Sequence, residues 1–196
     1  MLAGYLAGSM PFGLWLVRAF RGEDVRTQGS GNIGASNVWR VYGPRLGAPI
    51  VVLDVAKGFV PAFVGTLVAG PLAGVLAGAA AMVGHWRPIF LGFARGGKAV
   101  AAAGGAFLGV APLVGLAGVG IWLLLFLATR YASVASVSTA LLLPVVALLL
   151  GAAWPVVAFA AIAGLVVVLL HRPNLRRLRE GTESRFELKQ LRRRSA

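Results

Sequence analysis

The sequence contains no cysteine, which removes a disulfide framework, a thiolate nucleophile and a cysteine-ligated metal from consideration. Two histidines and six acidic residues, scattered along the chain, make a poor metal site, so neither a metal nor a cofactor is expected. Charge as a whole is scarce: 13% of residues are charged, where soluble domains carry about 25%. The remainder is dominated by hydrophobic residues, at 58% of the chain. A water-soluble core of this size could not hide so much apolar side chain, and lipid is the solvent that suits it. Acid is the rarer sign, with 19 Lys and Arg against six Asp and Glu, a formal +13. Such an excess points to nucleic acid, anionic lipid or an anionic small molecule. The arginines are spread over loops between apolar stretches, so nucleic acid is set aside and membrane lipids and small anions are kept as partners.

Uncharged gaps divide the chain. No Asp, Glu, Lys or Arg occurs in 58–86, 99–129 or 131–171. At about 20 residues per crossing of a ~30 Å hydrocarbon layer, each gap holds one or two helices. Breakers decide the number: Gly70 and Pro71 separate 47–68 from 71–91, Pro112 separates 99–112 from 113–129, and Gly151 with Pro155 separates 134–151 from 153–171. The first apolar stretch, 2–20, lacks a basic leader region and a cleavage site, and is read as a retained helix. The pattern therefore predicts an all-α integral membrane protein. It is a bundle of seven transmembrane helices over 1–171 with a basic cytoplasmic tail over 172–196.

A single kinked helix over 99–129 would give six spans, and orientation arbitrates between the two. With the N-terminus outside, the connections 18–47, 92–98 and 129–135 and the tail share one side and hold almost every Lys and Arg. The turns at 66–72, 110–114 and 150–155 hold none. The positive-inside rule then puts the charged side in the cytoplasm, with the working face inward. The tail, with nine Lys and Arg and three Glu, is expected to lie solvated on anionic headgroups, at ~1 kcal/mol per basic residue. Within the spans, Gly70, Gly74 and Gly78, and Gly115, Gly118 and Gly120, read as surfaces for close helix approach.

Two glycine clusters lie in the basic connections. Gly29-Ser30-Gly31-Asn32-Ile33-Gly34 matches the letters of a dinucleotide fingerprint, but no strand precedes it and no βαβ unit fits around it. The physics still transfers: glycines let backbone N–H groups converge, and the helix expected from Ala35 to Arg40 turns its positive end toward an anion. An ordinary glycine-rich turn would carry the same letters. Gly92-Phe93-Ala94-Arg95-Gly96-Gly97-Lys98-Ala99 spells most of a Walker A loop, yet Ala99 stands where Ser or Thr is needed, and ATP hydrolysis is not expected. A lysine behind two glycines at the mouth of a helix still suits a phosphate. Two such loops on one face, with Arg40 and Arg45 nearby, are harder to explain as turns.

Asp54 and Lys57 sit inside an apolar span, three residues apart and so on one helical face. Intramembrane charges usually face a partner or a wet cavity. The pair reads either as mutual neutralisation or as Lys57 serving the active face. His85 and His171 each end an apolar helix on the charged side, where a helix C-terminus favours a cation. Neither begins an H-x-x-x-x-D dyad, since Phe90 and Arg176 occupy those places.

Several segments together resemble the bacterial acyl-phosphate:glycerol-3-phosphate acyltransferases, the PlsY family. They are Gly8-Ser9-Met10-Pro11-Phe12-Gly13, GSGNIGASNVWR at 29–40, Asp54-Val55-Ala56-Lys57-Gly58, and GHWRPIFLGFARGGKA at 84–99. Ser133 and Ser136 after Arg130-Tyr131, and HRPNLRRLREGTE at 171–183, complete the set, so the resemblance runs to about Glu183. It implies a seven-helix enzyme that moves a fatty acyl group from acyl phosphate to the 1-hydroxyl of glycerol 3-phosphate, giving lysophosphatidic acid without using acyl-CoA or acyl carrier protein directly. It also implies that a substrate phosphate, not a protein base, takes the proton. Ala99 stands where the family commonly has Gly, Ser36 where it has Thr, and Met10 where it has Ile.

On this reading Lys98, Ser30 and Asn32 act by positioning and charge, and with Gly31 hold the donor or leaving phosphate. Arg40, Arg45, His171 and Asn174 hold glycerol 3-phosphate, with Ser36, Asn37 and Ser136 as hydrogen-bonding neighbours. Gly29, Gly34, Gly96 and Gly97 are read as substrate-binding positions of the two loops, and Lys57 and His85 are second-rank candidates. The competing class is a transporter or channel for an anionic, phosphate-bearing metabolite. Against it stand the odd span number, the lack of an inverted repeat, and the confinement of intramembrane charge to one helix.

Overall fold

The computed structural model describes residues 1–187, and the described residues are all-helical. Residues 188–196, the end of the expected tail, lie outside them. The helices are α1 (Leu2–Gly8), α2 (Phe12–Arg21), α3 (Ala35–Tyr42), α4 (Pro44–Trp86) and α5 (Val100–Val110). They are followed by α6 (Pro112–Thr129), α7 (Ala132–Leu149), α8 (Trp154–Leu170) and α9 (Arg172–Arg179).

The helix expected over 2–20 is two helices. Pro11 carries no N–H and its ring blocks the preceding turn, so α1 ends at Gly8 and α2 begins at Phe12. The break leaves backbone groups that lipid cannot satisfy. The Ser9 hydroxyl donates back to the Tyr5 carbonyl at 2.8 Å, and the Lys57 ammonium reaches the Met10 carbonyl at 2.9 Å. The next expected helix begins three residues early, at Pro44, which sets Arg45 in a helical turn. At Ala69 and Gly70 the backbone leaves the helix; Gly70 has φ +79°, a region open to glycine and strained for other residues. The two arms of α4, 44–68 and 71–86, fold back on each other there. The α-helix of the second arm stops at Trp86, short of the expected 91.

Helix α5 has 11 residues, roughly 16 Å at 1.5 Å per residue, well under the ~30 Å of a hydrocarbon layer. It is packed deep against α4, where a Cβ on Gly58 would collide with the Ala102 carbonyl and one on Gly105 with the Val55 carbonyl. α6 and α7, at 18 residues each, are long and apolar enough to cross, as is the Pro44–Leu91 segment. α8 reaches that test only together with α9, across a 55° bend.

Large apolar side chains cover the outside of the bundle. The interior includes many small residues, among them Ala62, Ala81, Ala102, Ala106, Ala135 and Ala147, while Val68 (80% exposed), Leu149 (81%) and Trp154 (74%) point outward. Small residues inside and large aliphatics outside is the arrangement that lipid, not water, permits. A second apolar cluster of Leu14, Val17, Val25, Ile33, Val38 and Ile50 pins the first connection and α3 to α2 and α4. That cluster fixes where the first glycine loop can be.

Candidate active site

A cavity of about 370 Å³ runs from the charged end of the bundle inward. Its walls follow helical periodicity: Val100, Gly104 and Phe107 on α5; Gly115, Val119 and Trp122 on α6; Ser136, Ala140 and Leu143 on α7; Ala160, Gly164, Val167 and His171 beyond them. The inner part is apolar. The mouth carries Ser30, Asn32, Ser36, Arg40, Lys98, Asn174 and Glu183.

The first glycine loop is held by amides. Asn37 accepts the Ser30 N–H at 2.9 Å through Oδ1 and donates through Nδ2 to the Gln28 and Asn32 carbonyls at 3.0 and 2.9 Å. Asn32 Oδ1 accepts the Gly34 N–H at 2.8 Å, and its Nδ2 points at the Gly96 carbonyl at 3.4 Å, so one side chain ties the two glycine loops together. Gly34 precedes α3, whose first residues, Ala35 and Ser36, line the cavity and whose N–H groups there make no hydrogen bond among the described residues. A helix start with free donors favours an anion.

The second loop is fixed differently. The Gly96 and Gly97 N–H groups donate to the Trp86 and His85 carbonyls at 2.9 and 3.0 Å. They are therefore spent on the end of α4 and do not line the cavity. A Cβ on Gly97 would overlap the His85 ring at Nε2, so this glycine is there for close packing. Ala99 then takes φ +60° and starts α5, bringing Lys98 to the mouth. Its methyl is buried, which helps offset the ~1–2 kcal/mol that a left-handed conformation costs an L residue.

Lys98 Nζ donates to Asn174 Oδ1 at 2.5 Å, Asn174 Nδ2 donates to Glu183 Oε1 at 2.6 Å, and Arg177 pairs with the other Glu183 oxygen at 2.8 Å. Burial works against the Glu183 carboxylate, but the Asn174 and Arg177 contacts hold its pKa below the usual range. Burial lowers the Lys98 pKa from 10.5 to about 8; Glu183 opposes this and Arg177, Arg40 and Arg95 add to it. Burial likewise lowers that of Arg40. The mouth is therefore short of anion. His171 turns Nδ1 to the Val167 carbonyl at 2.8 Å, which leaves Nε2 for the cavity.

The tail is not simply solvated. Beyond α9, Glu183 is buried, the Ser184 carbonyl accepts from Arg40 at 3.2 Å, and Phe186 lies under the Arg40 guanidinium and against Phe126. The Phe186 N–H donates to the Arg130 carbonyl at 2.9 Å, closing the segment over the α6–α7 corner.

Of the candidates named from sequence, Ser30, Asn32, Gly34, Ser36, Asn37, Arg40, Lys98, Ser136, His171 and Asn174 line the cavity, as does His85. Gly29, Gly31, Gly96 and Gly97 stand behind it, and Arg45 is exposed on α4 away from it. Lys57 is buried, 2.7 Å from Asp54, with His85 Nδ1 3.8 Å from the same oxygen. It faces Met10 and the Phe12 ring and not the cavity. Sequence reasoning missed Asp54, Ser133, Thr139 and Glu183 as lining residues. Glu183 had a signal, an acid inside a strongly basic tail.

A mouth rich in cations and an apolar interior suit a ligand with a phosphate head and a lipid tail. The model of the family described as glycerol-3-phosphate acyltransferase matches residues 1–181. The chain belongs to this family. A protein of Roseiflexus sp. (strain RS-1) named glycerol-3-phosphate acyltransferase is 46% identical, over 95% of this chain and 94% of its own length. One of the same name from Desulforudis audaxviator (strain MP104C) is 41% identical, over 94% and 93%. Among solved structures, the glycerol 3-phosphate form of PlsY, an integral membrane glycerol 3-phosphate acyltransferase, superposes with a TM-score of 0.92 at 35% identity. It covers 98% of this chain and 96% of that one. The lysophosphatidic acid form of PlsY gives 0.88 at 34% identity. The family member described here is thus a membrane acyltransferase of phospholipid synthesis.

Proposed function

We propose that the cavity moves a fatty acyl group from acyl phosphate to the 1-hydroxyl of glycerol 3-phosphate, releasing lysophosphatidic acid and inorganic phosphate. The observation that carries the reading is the continuity of one cavity from Lys98, Arg40 and His171 into an apolar arm between four helices. Both substrates carry phosphate, and one carries a tail. The forms in which the PlsY structures were solved, with glycerol 3-phosphate and with lysophosphatidic acid, accord with a site that takes both.

In the proposed step the glycerol 1-oxygen attacks the acyl carbon, a new C–O ester bond forms, and the acyl C–O bond to phosphate breaks. The leaving phosphate takes the hydroxyl proton. No protein base is required, because acyl phosphate brings its own leaving group, and positioning with charge stabilisation carries the rate. Lys98, Ser30 and the free N–H groups at the start of α3 hold the donor and leaving phosphate. Arg40, His171 and Ser36 hold glycerol 3-phosphate. Asn32, Asn37, Asn174 and Ser136 have their side chains engaged with protein partners and serve to position the others.

The same proposal includes topology. The broken α1–α2, the two arms of α4, the short α5, and α6, α7 and α8 make seven crossings with the N-terminus outside. The basic connections then share the cytoplasmic side of a bacterial inner membrane. The apolar arm of the cavity ends against packed side chains, which argues against a transport path.

The test is purified protein in detergent with acyl phosphate and glycerol 3-phosphate. Lysophosphatidic acid and phosphate are expected in equal amounts, with acyl-CoA inert as donor. Lys98→Ala is expected to abolish transfer while the protein stays folded. Product formation from acyl-CoA at a similar rate, or near-normal turnover by Lys98→Ala, would refute the assignment.

A further inference from the structure

Most glycines on the inner faces of the bundle are accounted for by close helix approach. Gly105 and Gly109, on α5, lie where a Cβ would strike the backbone of α4. Gly104 is different. It is in mid-helix with ordinary helical geometry, it lines the cavity, and a Cβ there would meet nothing within 4 Å. Glycine in a helix interior is destabilising relative to alanine, and neither backbone nor packing calls for it here. What its missing side chain provides is room inside the apolar arm.

One turn deeper on the same face the arm ends. Phe107 is 3% exposed, and its ring centre lies 4.7 Å from that of Phe159. Behind that pair Val114, Ala147 and Val156 form a packed core that does not line the cavity. The lining ends one residue on in α5, at Leu108, with Gly115 of α6 beside it, and on the other walls at Leu143 on α7 and Ala160 on α8. From Val100 to Phe107 is roughly 10 Å of helix at 1.5 Å per residue. The arm is therefore open beside Gly104 and closed one turn on by the Phe107–Phe159 pair.

We propose that Gly104 and Phe107 gauge the length of the acyl chain: Gly104 lets the tail pass and Phe107 stops it. The inference rests on the acyl-transfer reading above. A tail longer than the arm must bend out between helices, and one that fits gains contact with every methylene it buries. One methylene in a fitted apolar pocket changes kcat/KM by about 10-fold or more.

The experiment measures kcat/KM for a ladder of saturated donors, from octanoyl to stearoyl phosphate, with wild type, Gly104→Ala, Gly104→Leu and Phe107→Ala. The readout is the ratio of long to short donors within each protein, so a general loss of activity does not confuse it. Gly104→Leu is expected to lower that ratio about 10-fold or more. Gly104→Ala, which adds one methyl into open space, gives a graded version of the same shift in a helix it cannot weaken. Phe107→Ala is expected to raise the ratio. Wild type that transfers acyl groups while the Gly104 variants keep its length profile would overturn the gauge alone. Wild type that transfers no acyl group of any length would overturn the acyl-transfer reading and the gauge with it.

Discussion

Lys98 is the group whose protonation the proposed chemistry needs, and its environment sets where that protonation fails. Burial brings its pKa from 10.5 to about 8, against the pull of Glu183 and with the push of Arg177, Arg40 and Arg95. In the free enzyme the ammonium is therefore lost as pH rises through about 8, well before an exposed lysine would titrate. A neutral amine does not hold a phosphate dianion. The perturbation is pH itself, and kcat/KM, which reports the free enzyme, is expected to fall about tenfold per pH unit above 8. The second ionisation of a phosphate ester, near 6, is complete before this limb begins. Turnover at saturating substrate should hold to higher pH, because bound phosphate keeps Lys98 charged. Lys98→Arg, whose guanidinium stays charged throughout, should lose the limb even where its activity is reduced.

The sign of the stability effect separates this from alkaline unfolding. A buried lysine with a lowered folded pKa costs stability while charged and is relieved as it deprotonates, so its contribution rises between about pH 8 and 10.5. Activity should thus fall while Tm, as far as Lys98 governs it, does not. A wild-type kcat/KM that is flat from pH 8 to 10, or the same limb in Lys98→Arg, would refute the reasoning.

Two further predictions concern the groups behind the site. Lys57→Met leaves the Asp54 carboxylate buried without its 2.7 Å partner, a loss of about 3–5 kcal/mol. Replacing both, as Asp54→Leu with Lys57→Met, should cost less than the worse single change; thermal unfolding in detergent reads this, and an additive double would speak against a coupled pair. Gly97→Ala pushes a methyl into the His85 ring and should cost about 1–3 kcal/mol by overpacking, with a fall in kcat/KM as Lys98 is displaced. Adding His85→Ala makes room and should restore part of both, whereas a double no better than the single would refute the packing role of Gly97.

The helices were largely legible because lipid imposes strong rules on composition. Uncharged gaps and the breakers Gly70-Pro71, Pro112, Gly151 and Pro155 mark α4 to α8 to within a few residues. What escaped was the break in the first helix. Ser9-Met10-Pro11 was plain in the sequence, but whether a proline kinks or ends a helix depends on who satisfies the freed carbonyl. Here the answer comes from Lys57, 47 residues away. The same contact moves Lys57 from a candidate for the active face to a support of the fold, with Asp54 as its counter-ion. The length of α5 was also beyond the sequence's reach, since hydropathy does not say where a helix stops against its neighbours.

Many of the residues singled out in the sequence stand in one cavity lining, but their individual contacts could not be read from spacing. Both glycine loops stand out in the sequence, and by their letters both would offer backbone donors to phosphate. The geometry distinguishes them: the first ends in free N–H groups at the start of α3, while the second gives its N–H groups to His85 and Trp86 and contributes only Lys98. Spacing cannot reveal this, because it depends on which helix end the loop meets. The tail carries the same lesson. Its basic composition suits headgroups, yet Glu183 is buried against Asn174 and Arg177, and through Asn174 it reaches Lys98. On the proposed function, a substrate phosphate would meet the same cations as that carboxylate. The C-terminal segment is thus tied into the cavity mouth through Glu183, Asn174 and Lys98, a placement that composition alone would not assign to it.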